Sequence, residues 1–239
     1  MVRAVALGVA AFLTALPGVA QERTSGLVQS PRSGSVELRF GSWRPDNIDA
    51  GVKDSPFTKI YGSGNLLLFE GEFHRFFYQG IGTAGVSLTL GYAEKYGNTL
   101  REVDREPSEE RTGFHVLPLH VRGVYRFDYP AFKWRIPVVP YLKPGIVVIP
   151  WWVTKGGQIE VTDKKTEGRG TSVGLDMTAG VSLLLDVLEP RLARDFDADL
   201  GINHSYLFAE YTYSKVNNFG RGGFDLSDAY WMFGLALDY

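Results

Sequence analysis

The chain has 239 residues, no cysteine, and a formal net charge of −2 from 25 basic and 27 acidic side chains. That balance offers no electrostatic basis for nucleic-acid binding, and the missing cysteine rules out a disulfide scaffold. Beyond the first twenty residues no run approaches the roughly 18 apolar residues of a membrane helix, so any bilayer crossing has to use strands.

Residues 1–20 have the three parts of a secretory signal. Arg3 gives a positive start, Ala4 to Leu16 form an apolar run too short to span a bilayer, and Gly18-Val19-Ala20 supply small residues at a cleavage site. The mature chain is expected to begin at Gln21, with 21–34 as a flexible polar arm.

Eight segments then show period-two patterning, which places alternate side chains on opposite faces of a strand. In 35–43, Val36, Leu38 and Phe40 oppose Glu37 and Arg39. In 66–78, Leu67, Phe69 and Phe73 oppose Glu70, Glu72 and His74. Segment 82–92 sets Ala84, Val86, Leu88, Leu90 and Tyr92 against a face of Ser, Thr and Gly. Segment 114–127 sets Leu117, Leu119, Val121, Tyr125 and Phe127 against His120, Arg122 and Arg126.

Segment 136–153 is interrupted by Pro137, Pro140, Pro144 and Pro150, each of which removes a ladder donor. It is retained as a bent or bulged strand because Leu142, Ile146 and Val148 oppose Tyr141, Lys143 and Gly145. The clearest alternation is in 171–185, where Val173, Leu175 and Met177 oppose Ser172, Asp176 and Thr178. Segment 204–214 sets Leu207, Ala209, Tyr211 and Tyr213 against His204, Tyr206, Glu210 and Thr212. In the eighth, 227–239, Trp231, Phe233, Leu235, Leu237 and Tyr239 share one face, opposite Met232, Gly234, Ala236 and Asp238.

The connections alternate in length. Those at 44–65, 93–113, 154–170 and 215–226 are expected at one mouth; those at 79–81, 128–135 and 186–203 are expected at the other. The 93–113 connection, with Glu102, Asp104, Arg105, Glu106, Glu109, Glu110 and Arg111, reads as a solvated loop. In 186–203, Pro190 suits a first helical position, Leu192, Phe196 and Leu200 recur every four residues, and Gly201 can end a helix. A short amphipathic periplasmic helix is therefore expected between strand 6 and the hairpin of strands 7 and 8.

The resulting expectation is an all-β, eight-stranded antiparallel up-and-down transmembrane β-barrel over 35–239. An arginine on the lipid face at mid-membrane costs roughly 2–4 kcal/mol, so the charged parity must face inward. The expected lumen ion network is Glu37, Arg39, Glu70, Glu72, His74, His120, Arg122, Arg126, Lys143, Asp176 and Glu210, with His204 and Asp228 on the same faces. Mixed signs in a lumen about filled by its own side chains favour a closed, ion-paired core over a selective pore. Glu70 and Glu72 read as members of that network rather than as an acid–base pair. The four histidines have no metal-ligand spacing, and no cofactor motif is present, Gly62-Ser63-Gly64 and Gly220 to Gly223 lacking the phosphate-cradle pattern.

The last strand resembles the closing strand of bacterial outer-membrane barrels, with Gly234, Leu237 and Tyr239 at the glycine, apolar and final aromatic places read by the barrel-assembly machinery. Over 35–239 the chain resembles OmpA-type small barrels of Gram-negative envelopes. More narrowly, Val36-Glu-Leu-Arg-Phe-Gly-Ser-Trp-Arg-Pro45 and Asn203-His-Ser-Tyr-Leu-Phe-Ala-Glu-Tyr211 look like stretches of an uncharacterised barrel family typical of myxobacteria and relatives. The resemblance implies an outer-membrane location, lipid and assembly-machinery partners, and no catalytic residues. Asn203-His204-Ser205 with Glu210 is loosely similar to the Ser-His-acid site of outer-membrane lipid A deacylases. Adjacent His and Ser point to opposite faces of a strand, however, and no oxyanion hole is marked. An envelope structural or surface-interaction role is the leading expectation. The alternatives are a small-solute channel, a lipid-processing enzyme, or a soluble lipocalin-like carrier.

Overall fold

A computed structural model of the chain describes residues 32–52, 55–100, 107–156, 158–159, 167–188 and 190–239. The expected signal peptide and residues 21–31 of the expected arm lie outside the described residues. The end of that arm is tied down, since Arg32 bonds Asp128 and the Ser33 and Gly34 amides both donate to the Tyr239 carbonyl.

Ten strands form one antiparallel sheet: β1 (Gly34–Trp43), β2 (Leu66–Gly80), β3 (Gly82–Leu100), β4 (Pro107–Val116), β5 (Leu119–Arg126), β6 (Val138–Lys155), β7 (Gln158–Ile159), β8 (Arg169–Leu184), β9 (His204–Lys215) and β10 (Asp228–Asp238). Around the ring β1 pairs with β2, β2 with β3, β3 with both β4 and β5, these two with β6, β6 with β8, β8 with β9 and β9 with β10, and β10 returns to pair with β1 from Ser35↔Asp238 to Gly41↔Met232. The sheet is therefore a closed ring without free edges. β4 and β5 are two halves of one stave, and β7 pairs only with the end of β6, so the ring has eight staves.

The faces follow the sequence parity. Leu38 is 68% exposed, and Val86, Val121, Leu175, Tyr213 and Phe233 are likewise exposed, while Arg39, Glu72, Arg122 and Lys143 are at most 2% exposed. This is the inverse of a soluble protein, with apolar residues outside and charges inside. From the 10 residues of β1 to the 19 of β3, the staves meet or exceed the roughly 9–11 residues that a tilted membrane strand needs.

Several boundaries differ from the sequence reading. Most of the expected 93–113 loop is strand: β3 and β4 stay paired from Ala93↔Val116 to Leu100↔Pro107, and the charged Glu102, Asp104, Arg105 and Glu106 lie outside the described residues. Likewise β6 runs on to Lys155 and β8 begins at Arg169, which trims the expected 154–170 loop. Two six-residue helices were not anticipated, α1 (Pro56–Tyr61) in the 44–65 connection and α2 (Tyr129–Trp134) in 128–135. Each has a proline in its first two positions, Pro56 and Pro130, where the missing amide is not required by the helix. The fourth stave is also broken at Leu117-Pro118, although the register is the same on both sides of the break.

The proline-rich stave is a continuous strand. Pro140, Pro144 and Pro150 all fall on the outward parity of β6, and the carbonyls of Pro140 and Pro150 accept from Phe127 and Leu117. Their missing donors thus all point toward the β4–β5 side. Pairing with β8 is unbroken from Val138 to Trp152, whereas pairing with β5 lapses opposite Lys143 and Pro144.

α3 (Pro190–Leu200) occupies the connection between β8 and β9. It ends at Gly201, whose φ of 68° suits a left-handed cap; the Gly201 amide donates to the Asp197 carbonyl and that of Ile202 to Phe196. Phe196 is half-buried and Leu200 is exposed.

Candidate functional site: a three-layered lumen

The inward side chains form three layers. Next to the mouth bearing the long connections is an apolar plug, with Trp43, Leu66, Leu68, Phe114, Val147 and Met232 among its members. α1 covers it: Tyr61 belongs to the plug, and Phe57 and Ile60 pack on it. At the mouth bearing Gly34 and Tyr239, Val139, Tyr141, Leu184, Tyr206, Phe208 and Ala236 form a second apolar layer, joined by Ala131 of α2. The ionic layer lies between them.

Arg39 is the hub of that layer. It lies 3.0 Å from Glu70, 2.5 Å from Glu210 and in direct contact with Glu72, while its Nη2 donates to Thr89. Arg122 pairs with Asp176 at 2.6 Å, reaches Glu72 at 3.4 Å and donates to the same Thr89 hydroxyl. Lys143 lies 2.7 Å from Glu37 and 3.4 Å from both Glu72 and Glu210, and the Tyr141 hydroxyl donates to Glu210. His74 sits between Glu72 (2.8 Å) and Glu37 (3.2 Å), and His120 between Asp176 (2.9 Å) and Glu70 (3.4 Å).

This packing depends on local absences of side chain. A Cβ at Gly145 would stand 2.5 Å from the Arg122 chain, and one at Gly234 would stand 2.7 Å from the Phe208 ring and 2.9 Å from Arg39 Cβ. Gly234, expected as part of an assembly signal, is also what lets the large lumen side chains fit.

Ten of the eleven residues expected in the ionic network meet in this layer. Arg126 does not; it pairs with Asp238 at 2.8 Å in the aromatic layer below and lies over the Tyr206 ring. A second pair beside it joins Arg32 to Asp128, which also accepts from Thr83. His204 stays at the same mouth, 2.5 Å from Asp186 and packed on Phe132. Asp228 is only half-buried and accepts the Arg44 and Ala229 amides. The Asn203-His204-Ser205 stretch does not assemble with Glu210, which is held in the adjoining ionic layer by Arg39 and Tyr141.

Three participants were missed as network members although their parity was readable: Tyr141, Thr89 and Asp238 all lie on faces already assigned inward. The apolar plug was missed outright. Leu66 and Leu68 resemble the lipid-facing Leu67 and Phe69 in type, so polarity could not tell the two faces apart.

Glu37, Glu72 and His74 bring ligand atoms within 4.8 Å of one another, the one such grouping among the described residues. Lys143 and Arg39 already contact those carboxylates and supply positive charge to them. Burial of charge is tolerable only with such pairing. Every carboxylate in the ionic layer has a cationic neighbour, and apolar layers lie above and below.

No protein-family model matches the chain, and no curated protein matches it. The likeness to a myxobacterial-type family therefore remains a resemblance of two stretches. Among solved structures, the crystal structure of Neisserial surface protein A covers 86% of this chain and 96% of its own at 14% identity, with a TM-score of 0.42. The attachment invasion locus protein Ail of Yersinia pestis, in complex with the heparin analogue sucrose octasulfate, covers 87% and 99% at 15% identity, with a TM-score of 0.42. The N-terminal β-barrel domain of Pseudomonas aeruginosa OprF covers 87% and 100% at 13% identity, with a TM-score of 0.41. The chain is similar to small outer-membrane β-barrels. Its architecture rests on its own strand pairing and burial pattern, not on these likenesses.

Proposed function

We propose that the chain is an integral outer-membrane β-barrel with a plugged lumen, serving the envelope as a structural element and a surface for interaction rather than as a pore. One observation carries this reading: a closed ring whose outer face is apolar and whose inner face holds a paired ionic layer between two apolar ones. Water has no reason to stay outside such a ring. A hydrocarbon slab does, because closure satisfies the strand backbone internally. The export signal expected at 1–20 and the pattern Gly234, Leu237, Tyr239 support a route through secretion and the barrel-assembly machinery.

Both mouths support the non-conducting reading. α1 seals the plug at one end, and α2 with the Arg126–Asp238 and Arg32–Asp128 pairs fills the other. Fractionation of tagged protein tests the location, and the expected result is recovery only from detergent-solubilised outer membrane with heat-modifiable gel mobility. Planar-bilayer recording tests the plug. Sustained discrete openings of the wild-type chain that change with Glu70→Gln or Arg122→Gln would reject the closed lumen and favour the solute-channel reading.

A further inference from the structure

The outward surface where β3, β4 and β6 rise toward the long-connection mouth carries a hydrogen-bonded chain that the lumen does not use. Glu94, His115 and Thr154 lie on these three neighbouring strands, all on the outward parity, with His115↔Glu94 and Gly113↔Thr154 as register partners. The Tyr92 hydroxyl donates to Glu94 at 2.7 Å and lies 2.9 Å from His115 Nδ1. With its one proton on the carboxylate, the phenol oxygen is placed to accept from Nδ1–H. A neutral His115 then carries its lone pair on Nε2, and that atom lies 3.0 Å from Thr154 Oγ1.

The imidazole is held firmly in this pose. Trp152 stacks on it at 5.3 Å with planes 9° apart, and Tyr96 meets it edge-on at 5.8 Å while donating to Glu94. His115 is 7% exposed. Gly113 allows the convergence, since a Cβ there would stand 2.7 Å from Thr154 Oγ1 and 2.8 Å from His115 Nε2. Arg111, the next outward residue on β4, lies over the Tyr96 ring at 4.4 Å and brings a positive charge to the same patch. A hydroxyl facing the free nitrogen of an imidazole that a third group orients is the arrangement of an activated nucleophile.

The geometry points to a second site on this barrel, an acyl-ester hydrolase centre on its outer surface in which Thr154 is the nucleophile, His115 the general base and acid, and Tyr92 with Glu94 the positioning pair. The substrate class is the carboxylic ester of a membrane amphiphile, because the patch adjoins the apolar belt, with Leu90 and Leu117 below it, and aromatic residues mark the interfacial level. This inference rests on the membrane location proposed above. In the first step Thr154 Oγ bonds to the ester carbonyl carbon and its proton passes to His115 Nε2. The ester C–O bond then breaks, and the departing alkoxide takes that proton. Water next attacks the acyl-threonine, giving one proton to His115, and the acid leaves as Thr154 recovers its proton. The sum is ester plus water to acid plus alcohol. Arg111 supplies positive charge for the negative carbonyl oxygen or for an anionic head group.

The test uses refolded full chain in detergent micelles, with p-nitrophenyl palmitate and p-nitrophenyl acetate as probes and heat-modifiable mobility recorded for every variant. The barrel reading stands or falls on the mobility, and the hydrolase reading on the cleavage. Folded wild-type protein is expected to cleave palmitate with kcat/KM at least about tenfold above acetate, as apolar chain burial favours. Thr154→Val and His115→Gln should each lower kcat by about 10²–10⁴-fold with mobility intact. Thr154→Ser should retain turnover, and Tyr92→Phe should lower kcat with KM unchanged. A fluorophosphonate probe should label Thr154, read by peptide mass spectrometry. Folded protein without cleavage, cleavage surviving Thr154→Val, or equal rates on both esters would each overturn the proposal.

Discussion

The ionic layer and the apolar plug fill the same lumen a few residues apart, and they do so by different physics. In the plug, Trp43, Leu66, Leu68 and Phe114 contribute by volume, and each neighbour can partly compensate for a loss. In the ionic layer, Arg39 contacts four carboxylates, Glu37, Glu70, Glu72 and Glu210; Lys143 also reaches three of them, but no other Lys or Arg among the described residues lies within ion-pair distance of Glu70. One region depends on volume, and the other on charge held at one place. The difference matters because both stand between the two mouths, and a defect in either has a different signature.

Breaking the hub should have the largest effect. Arg39→Met leaves buried Glu70 without a Lys or Arg partner and three more carboxylates sharing Lys143 and Arg122, and should destabilise the barrel by about 3–5 kcal/mol, read as a lowered urea midpoint in the gel-shift assay. Leu68→Ala in the plug should cost about 2–5 kcal/mol, yet leave the ionic layer closed, so bilayer recordings should stay silent. If Leu68→Ala conducts and Arg39→Met does not, the division of labour between the layers is the reverse of the one described. On the outer face, Leu175→Arg should cost about 2–4 kcal/mol and lower outer-membrane yield. The smallest effect belongs to the rim. Ser172, buried on the inward parity, donates to the Phe224 carbonyl at 2.8 Å, so Ser172→Ala should cost about 1 kcal/mol rather than nothing. A double-mutant cycle on Lys143→Met and Glu37→Gln would sharpen the contrast: strong coupling is expected there, and near-additivity for Leu68→Ala with Val147→Ala.

The same contrast explains what the sequence could and could not convey. Period-two alternation between unlike residues, such as Leu38 against Glu37 and Arg39, assigns both strand and face, so the ring and its ionic layer were legible. Where both faces are apolar, as at Leu66 to Phe69, alternation carries no sign and the plug was invisible. Hairpins that rise past the apolar belt, as β3 and β4 do around Gly97 and Thr112, lose the hydrophobic signal while keeping their backbone pairing, and so read as loop. The outer-surface chain from Glu94 to Thr154 joins residues 60 positions apart whose meeting depends on cross-strand register. No local motif announces it.

The prolines of β6 have a consequence for how the ring comes apart. All of their missing donors face one neighbour, so β6 is laced along its length to β8 and only loosely to β5. A cylinder with one weak seam parts along a fixed line rather than at random. Amides of Gly123 to Arg126 should therefore exchange with solvent deuterons before those of β8 and β9, making this stave the gate through which the barrel first breathes.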